Sequence, residues 1–194
     1  DILGKMYAAK LDEKGQSYVT YIKQASTRLS EQIKALLEHS RIGRNGKKKM
    51  IDLRELVEVV NYDLGKSIKD RGAKIHVGDL PKIMGYEVEL RLLFQNLISN
   101  AIKYTPKERN PEVRISAYRE GQYWQFSIVD NGMGIAKEDQ QNIFTIFNRV
   151  KNDDDKGTGV GLAHVEKIVR LHEGSIWVES QEGVGSSFYF KLKA

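Results

Sequence analysis

Asn96, Asn100 and Lys103 stand at i, i+4 and i+7 within Leu90 to Thr105, LRLLFQNLISNAIKYT. On a helix this spacing lines two amides and an ammonium along one stripe. Such a stripe suits a metal-bound polyphosphate. An Asn offers a neutral oxygen to a hard cation such as Mg²⁺, which keeps several waters and takes other ligands from phosphates, and Lys brings a point charge to phosphate oxygens. Read alone, the same residues fit a solvated helix face equally well.

Two glycine-bearing stretches extend the chemistry. In DNGMGI, residues 130 to 135, Asp130 ends an apolar run and can accept a hydrogen bond from the exocyclic amine of a base, while Gly132 and Gly134 let the backbone pass close beside it. An ordinary Asn-Gly turn accounts for the same residues. In GTGVG, Gly157, Gly159 and Gly161 precede a helical pattern, so backbone amides and a helix N-terminus can converge on an anion. The GxGxG spacing without a preceding strand argues against a dinucleotide fingerprint, and no Gly-Lys-Ser/Thr follows to make a P-loop.

The elements that must position these groups follow from periodicity. Leu90, Leu93, Phe94, Leu97 and Ala101 give the 90–105 helix its core-facing stripe, and Pro106 stops it. Upstream, Ile2, Leu3 and Met6 read as the tail of a helix and LDEKG (11 to 15) as a turn. From Gln16 a long helix carries a narrow seam of Tyr18, Ile22, Ala25, Leu29, Ile33, Leu36 and Ser40. One seam cannot hold such a helix alone, so a neighbouring helix or a second chain must cover it. His39 near its end reads as structural. Residues 41 to 50, RIGRNGKKKM, read as a hinge. Asp52 caps a helix from Leu53 to about Arg71, closed by Gly72, and KIHV (74 to 77) and KIM (82 to 84) read as strands flanking a turn. Hairpins are expected around Glu120-Gly121 and Glu182-Gly183, with helices at Asp139 to Arg149 and Val160 to Leu171. Helices alternating with hairpins imply an α+β fold, a two-layer sandwich with helices on one face of a mixed sheet.

Composition narrows the alternatives. The 194-residue chain has no cysteine and a formal charge of +5, which excludes disulfide frameworks and thiolate metal sites. The excess charge gathers in Arg41, Arg44, Lys47, Lys48 and Lys49, a Gly-rich connector without interleaved aromatics, so nucleic acid is not an expected partner. No run approaches the roughly 18 apolar residues of a membrane helix. A reducing, cytoplasmic setting is expected, as a free protein or as part of a membrane-anchored one.

Taken together, the Asn-bearing helix, DNGMGI, IFTIFNRV and GTGVGLA occur in the order of the N, G1, F and G2 boxes. The stretch from Asp52 to Ala194 resembles the ATP-binding domain of sensor histidine kinases of two-component systems, within the GHKL group that also holds gyrases, heat-shock chaperone ATPases and mismatch-repair ATPases. LLEHSRIGR resembles the end of the second helix of the kinases' dimerisation hairpin. The resemblance implies a partial hairpin over 1–43, a linker over 44–51 and a catalytic domain over 52–194. It implies Asn100 as Mg²⁺ ligand, Asn96 supporting the metal-triphosphate end, Lys103 on phosphate and Tyr104 against the nucleotide. Asp130 would hold the adenine amine, with Gly132 and Gly134 shaping its pocket and Ser186 beside it. Arg149 would reach the γ-phosphate. Gly157, Thr158, Gly159, Gly161 and Leu162 would wrap the phosphates beneath a lid of residues 148 to 156. ATP and Mg²⁺ as cofactors, a homodimer and a response-regulator receiver domain as partner follow from the same resemblance.

Two positions qualify it. The kinases accept phosphate on a His followed by Glu or Asp, and none of His39, His76, His164 and His172 stands in that context. The expected acceptor lies upstream of Asp1, and a parent protein without one is the other reading. In hydrolytic relatives a Glu one turn before the metal-binding Asn polarises water; here Asn96 stands there, and an amide cannot take that proton. A transferase is therefore expected. A GHKL-type ATPase, an anti-sigma-type serine kinase and a silent nucleotide-binding dimerisation module are the alternatives.

Overall fold

The structure is a computed structural model that describes residues 11–44, 46–148 and 159–194. The chain divides into two units, Asp1–Ser40 and Arg41–Ala194. The described part of the first is one helix, α1 (Glu13–Arg41, ending just past the boundary). It begins inside the stretch expected to turn, because Asp12 Oδ1 accepts the Gly15 N–H at 2.8 Å and so acts as an N-cap. Tyr18, Ile22, Leu29, Ile33 and Leu36 of the seam are exposed. The helix tail expected before residue 11 lies outside the described residues.

The second unit has its own core. Strand β1 (Lys49–Asp52) overlaps the end of the expected connector and pairs antiparallel with β3 (Lys82–Gly85). Asp52 caps α2 (Leu53–Asp63) by accepting from the N–H groups of Arg54 and Glu55. The single helix expected to run to Arg71 is broken at Leu64, and α3 (Gly65–Arg71) follows, closed by Gly72 in the left-handed region at φ 61°. Strand β2 (Lys74–Val77) was expected to flank a turn with β3, yet the two belong to different sheets: β2 pairs parallel with β4 (Glu112–Glu120). Helix α4 (Glu87–Lys103) lies between them in sequence.

The main sheet runs β2-β4-β5-β7-β6, where β5 is Tyr123–Asp130, β6 Ser175–Gln181 and β7 Gly185–Lys193. All pairs except β2–β4 are antiparallel, so the sheet is mixed as the alternation of elements implied. Helix α5 (Gly161–Leu171) completes the helical layer. The α+β sandwich closes over one apolar layer. Phe126 and Phe190 stack at 4.8 Å between centroids, and Phe94 of α4 meets both edge-on at 6.3 and 5.9 Å. That packing fixes the rotation of α4 on the sheet, and with it the direction of the Asn stripe.

His172, one residue past α5, fastens the layers at another point. Its Nε2 accepts the Tyr86 N–H at 3.1 Å just before α4, so Nδ1 carries the proton and donates to Ile168 O at 2.8 Å. Burial lowers its pKa, with Lys48 pulling the same way and Ile168 O and Glu89 opposing.

The helix expected over Asp139 to Arg149 is absent within its described part, up to Asn148. Successive turns replace it, closed by i→i+3 bonds such as Asn142 N to Asp139 O and Thr145 N to Asn142 O. Side chains compete with a helix here: Asn148 Nδ2 donates to Asn142 O, and Gln140 Nε2 to Ile135 O and Ser180 O. Phe147 adopts φ 65° and donates its N–H to Gly159 O, a conformation no helix contains.

Candidate nucleotide-binding site

Asn96, Asn100, Lys103 and Tyr104 lie along α4 and its C-cap, each half-buried beside the buried stripe of Leu93, Phe94, Leu97, Ile98, Ala101 and Ile102. Asn96 Nδ2 donates to Leu92 O at 2.9 Å, which turns Oδ1 outward. A Cβ placed on Gly161 would stand 2.8 Å from that oxygen, so the N-terminus of α5 approaches Asn96 as closely as glycine allows. The Asn100 side chain takes no hydrogen bond among the described residues. Lys103 Nζ lies 2.7 Å from the Tyr104 hydroxyl and 4.1 Å from the ring centroid.

At the other end, Asp130 closes β5 opposite Ser186 of β7. Its Oδ1 accepts N–H groups from Gly132 at 2.8 Å and Ser186 at 3.3 Å. Oδ2 accepts no hydrogen bond among the described residues. Burial pushes the carboxyl's pKa up, against the pull of those two N–H donors. Gly132 is required by space, since a Cβ would sit 2.6 Å from Asp130 Oδ1 and 3.1 Å from Tyr104 O. At Gly134, φ is 73° and a Cβ would overlap the carbonyl of Gln181.

Backbone bonds join this turn to α4. Met133 N donates to Tyr104 O at 2.9 Å and Gly183 N to Met133 O at 2.7 Å. Asn131, which the sequence reading passed over, accepts the Glu112 N–H and donates to Asn110 O, locking the turn against the start of β4. Ser180 was also missed. Its hydroxyl meets Ile135, Gly185 and Ser186, and only the register of β6 on β7 puts it there.

The sequence-derived residues thus gather in two groups. Asn96 and Gly161 adjoin, with Leu162 following in the first turn of α5. Tyr104, Asp130, Gly132, Gly134 and Ser186 adjoin around the β5 turn. Between them runs the second half of α4, eight residues or about 12 Å of rise. Gly159, at φ 70°, accepts from Phe147 and reaches the first group through α5. Arg149, Gly157 and Thr158 lie outside the described residues, as does nearly all of the stretch expected to form a lid.

A carboxylate acceptor thus stands at one end of α4, and an amide side chain with a helix N-terminus stands at the other. The model of the histidine kinase-, DNA gyrase B- and HSP90-like ATPase family matches residues 85–194. The chain belongs to this family. Within it, the similar proteins include phytochromes and sensory kinases. Phytochrome-like protein Cph1 of Synechocystis sp. is 34% identical over 98% of this chain and 26% of its own length. Cyanobacterial phytochrome A of Nostoc sp. is 36% identical over 98% of this chain and 25% of its own length. The adaptive-response sensory kinase SasA of Gloeothece citriformis is 36% identical over 90% and 42%. The chain therefore spans about a quarter of the two phytochromes and less than half of SasA. Among solved structures, full-length ShkA in complex with AMPPNP superposes with a TM-score of 0.72 at 26% identity, over 97% of this chain and 41% of ShkA. The catalytic domain of the histidine kinase ThkA has the same fold, with a TM-score of 0.66 at 24% identity over 76% and 95%. This is a histidine-kinase-type catalytic ATP-binding domain with a helix ahead of it.

Proposed function

We propose that this chain is the catalytic part of a two-component sensor kinase, which binds Mg-ATP and passes its γ-phosphoryl group to a histidine other than His39, His76, His164 and His172. The observation that carries this reading is the pairing of Asp130 at one end of α4 with the Asn96–Gly161 junction at the other. Asp130 Oδ2 accepts the adenine amine, and Tyr104 lies against the nucleotide. Asn96, Lys103 and the first turn of α5 face the triphosphate, with Gly157, Thr158, Gly159 and Leu162 around it. Arg149 reaches the γ-phosphate.

The donor set suits Mg²⁺. No group of three or more His, Cys, Asp or Glu gathers among the described residues, so a cation here must take most of its ligands from phosphate and water, as Mg²⁺ does. Asn100 Oδ1 is the protein ligand, and the bound ion supplies charge neutralisation on the phosphate oxygens. Phosphoryl transfer is mainly positioning and electrostatics, which leaves the domain to align ATP while another segment brings the nucleophile. Asn96, already donating to Leu92 O, offers no base to activate water, which favours transfer over hydrolysis.

The proposed organisation is a partial dimerisation hairpin over 1–43, a linker over 44–51 and the catalytic domain over 52–194. The exposed seam of α1 supports a homodimer. A receiver domain is the proposed phosphate acceptor, as ThkA has been solved in complex with the response regulator TrrA. No described helix is long and apolar enough to cross a membrane, and a cytoplasmic setting is proposed. Calorimetric titration with ATP, with and without Mg²⁺, tests the reading. Saturable binding that strengthens with the metal is expected, and no binding in either condition overturns it.

A further inference from the structure

Ser180 lies outside every box the sequence reading used, yet its hydroxyl sits at the centre of the base end of the site. Three polar atoms surround Ser180 Oγ: Ile135 N at 2.8 Å, Gly185 O at 2.8 Å and Ser186 Oγ at 2.9 Å. A serine hydroxyl has one proton and two lone pairs. An amide N–H can only donate, so Ile135 takes one lone pair. A carbonyl can only accept, so the one proton goes to Gly185 O. What remains for Ser186 is the second lone pair, and Ser186 must therefore be the donor across the 2.9 Å contact. Its only proton is spent on Ser180.

Ser186 neighbours Asp130 on the same face of the sheet and is buried, and its own N–H is directed to Asp130 Oδ1. With its hydroxyl proton turned away, Ser186 Oγ can offer a ligand only lone pairs. Gln140 steadies the arrangement by donating to Ser180 O at 2.9 Å, and Gly134, pressed on Gln181, leaves the turn no room to shift.

We infer that Ser180 is a positioning residue for nucleobase choice: by holding the Ser186 proton it makes the base edge beside Asp130 a surface of acceptors only. Such an edge favours a ligand carrying an amino group there and disfavours one carrying a carbonyl, which is the difference between adenine and guanine at their six-position. The inference rests on the adenine-site reading above. It adds that the preference depends on a side chain one strand away from the ligand. In a Ser180→Ala protein the Ser186 hydroxyl turns free to donate, and a guanine carbonyl gains a partner.

The test is calorimetric titration of the whole chain with ATP and with GTP in the presence of Mg²⁺. Wild type is expected to prefer ATP. Ser180→Ala should lower the ATP-to-GTP affinity ratio by about tenfold, the size of one hydrogen bond lost and one gained. Ser180→Thr, which keeps the hydroxyl, should restore the ratio. Should Ser180→Ala fold poorly, Ser186→Ala serves, since removing the acceptor must lower the ratio as well. An unchanged ratio in a folded Ser180→Ala or Ser186→Ala protein overturns the inference, as does equal loss of both nucleotides in the Ala and Thr variants. A wild-type chain that binds neither nucleotide fails at the earlier step, and the adenine-site reading falls with the inference.

Discussion

In the proposed function nucleotide recognition turns on Asp130, a carboxyl whose pKa burial raises. A carboxyl with a higher pKa in the folded than in the unfolded state holds its proton more tightly when folded. Its stabilising contribution is complete below the unfolded value near 3.8 and is lost as pH rises through the higher folded value. At neutral pH the charged carboxylate therefore costs stability, and Asp130→Asn should melt at a higher temperature without ligand. The same variant should lose about 1.5–3 kcal/mol of ATP affinity, the worth of a charge-assisted hydrogen bond. Calorimetry and thermal melts on one preparation check both signs; equal affinity in the two proteins would remove Asp130 from the base site. ATP affinity in the wild type should also weaken on acidification at a pH above the ordinary carboxylate range. At the phosphate end, Asn96→Glu should raise the slow release of phosphate if a water fits beside the new carboxylate. Gly161 stands close enough to Asn96 Oδ1 to restrict that water, so unchanged release would show that geometry as well as chemistry separates kinase from ATPase. The proposed site residues were legible from the order in which the Asn-bearing helix, DNGMGI and GTGVGLA follow one another, since each stretch alone also fits a solvated helix face or a plain turn. Ser180 was not, since a serine in a strand becomes informative only once the strand register sets it against Ser186.

At the scale of elements, α4 and the two hairpins were legible because each combines a clear period with a clear stop: Pro106 after α4, glycine turns at Gly121 and Gly183. The segment from Asp139 misled because Ile143, Phe144 and Phe147 recur at helical spacing while Gln140 and Asn148 spend their amides on backbone carbonyls. Phe147 then takes a left-handed conformation that periodicity cannot reveal. The separation of β2 from β3 was equally hidden, since parallel pairing with β4 joins strands far apart in sequence. The junction of α4 with α5 carries its own pH dependence. The pKa of His172 is lowered on folding, so its contribution is complete above its ordinary value of 6.5 and is lost as pH falls below that toward the folded value. Urea unfolding at about pH 7.5 and about pH 5.5 should show lower stability in acid. His172→Gln should be less stable at both and show a shallower slope. A slope as steep as that of the wild type would assign the acid sensitivity to other groups.

Among the described residues, a unit with a closed core follows in sequence a helix whose seam is exposed. Residues 41–194 contain the triple-phenylalanine layer and should fold alone as a monomer that binds ATP with the affinity of the full chain. The full chain, with Tyr18, Ile22, Leu29 and Ile33 exposed on α1, should sediment as a dimer. A full chain that stays monomeric as its concentration is raised would contradict the dimer. In the proposed function the domain aligns ATP for transfer to a histidine other than His39, His76, His164 and His172, and labelled phosphate is the direct readout of that transfer. The chain is incubated with γ-labelled ATP and Mg²⁺, alone and after an upstream helix bearing a His-Glu acceptor has been joined to it. Acid-labile, alkali-stable label is expected on the joined protein only. Stable label on His39 in the unextended chain, or free phosphate released in place of protein label once the acceptor is present, would contradict it.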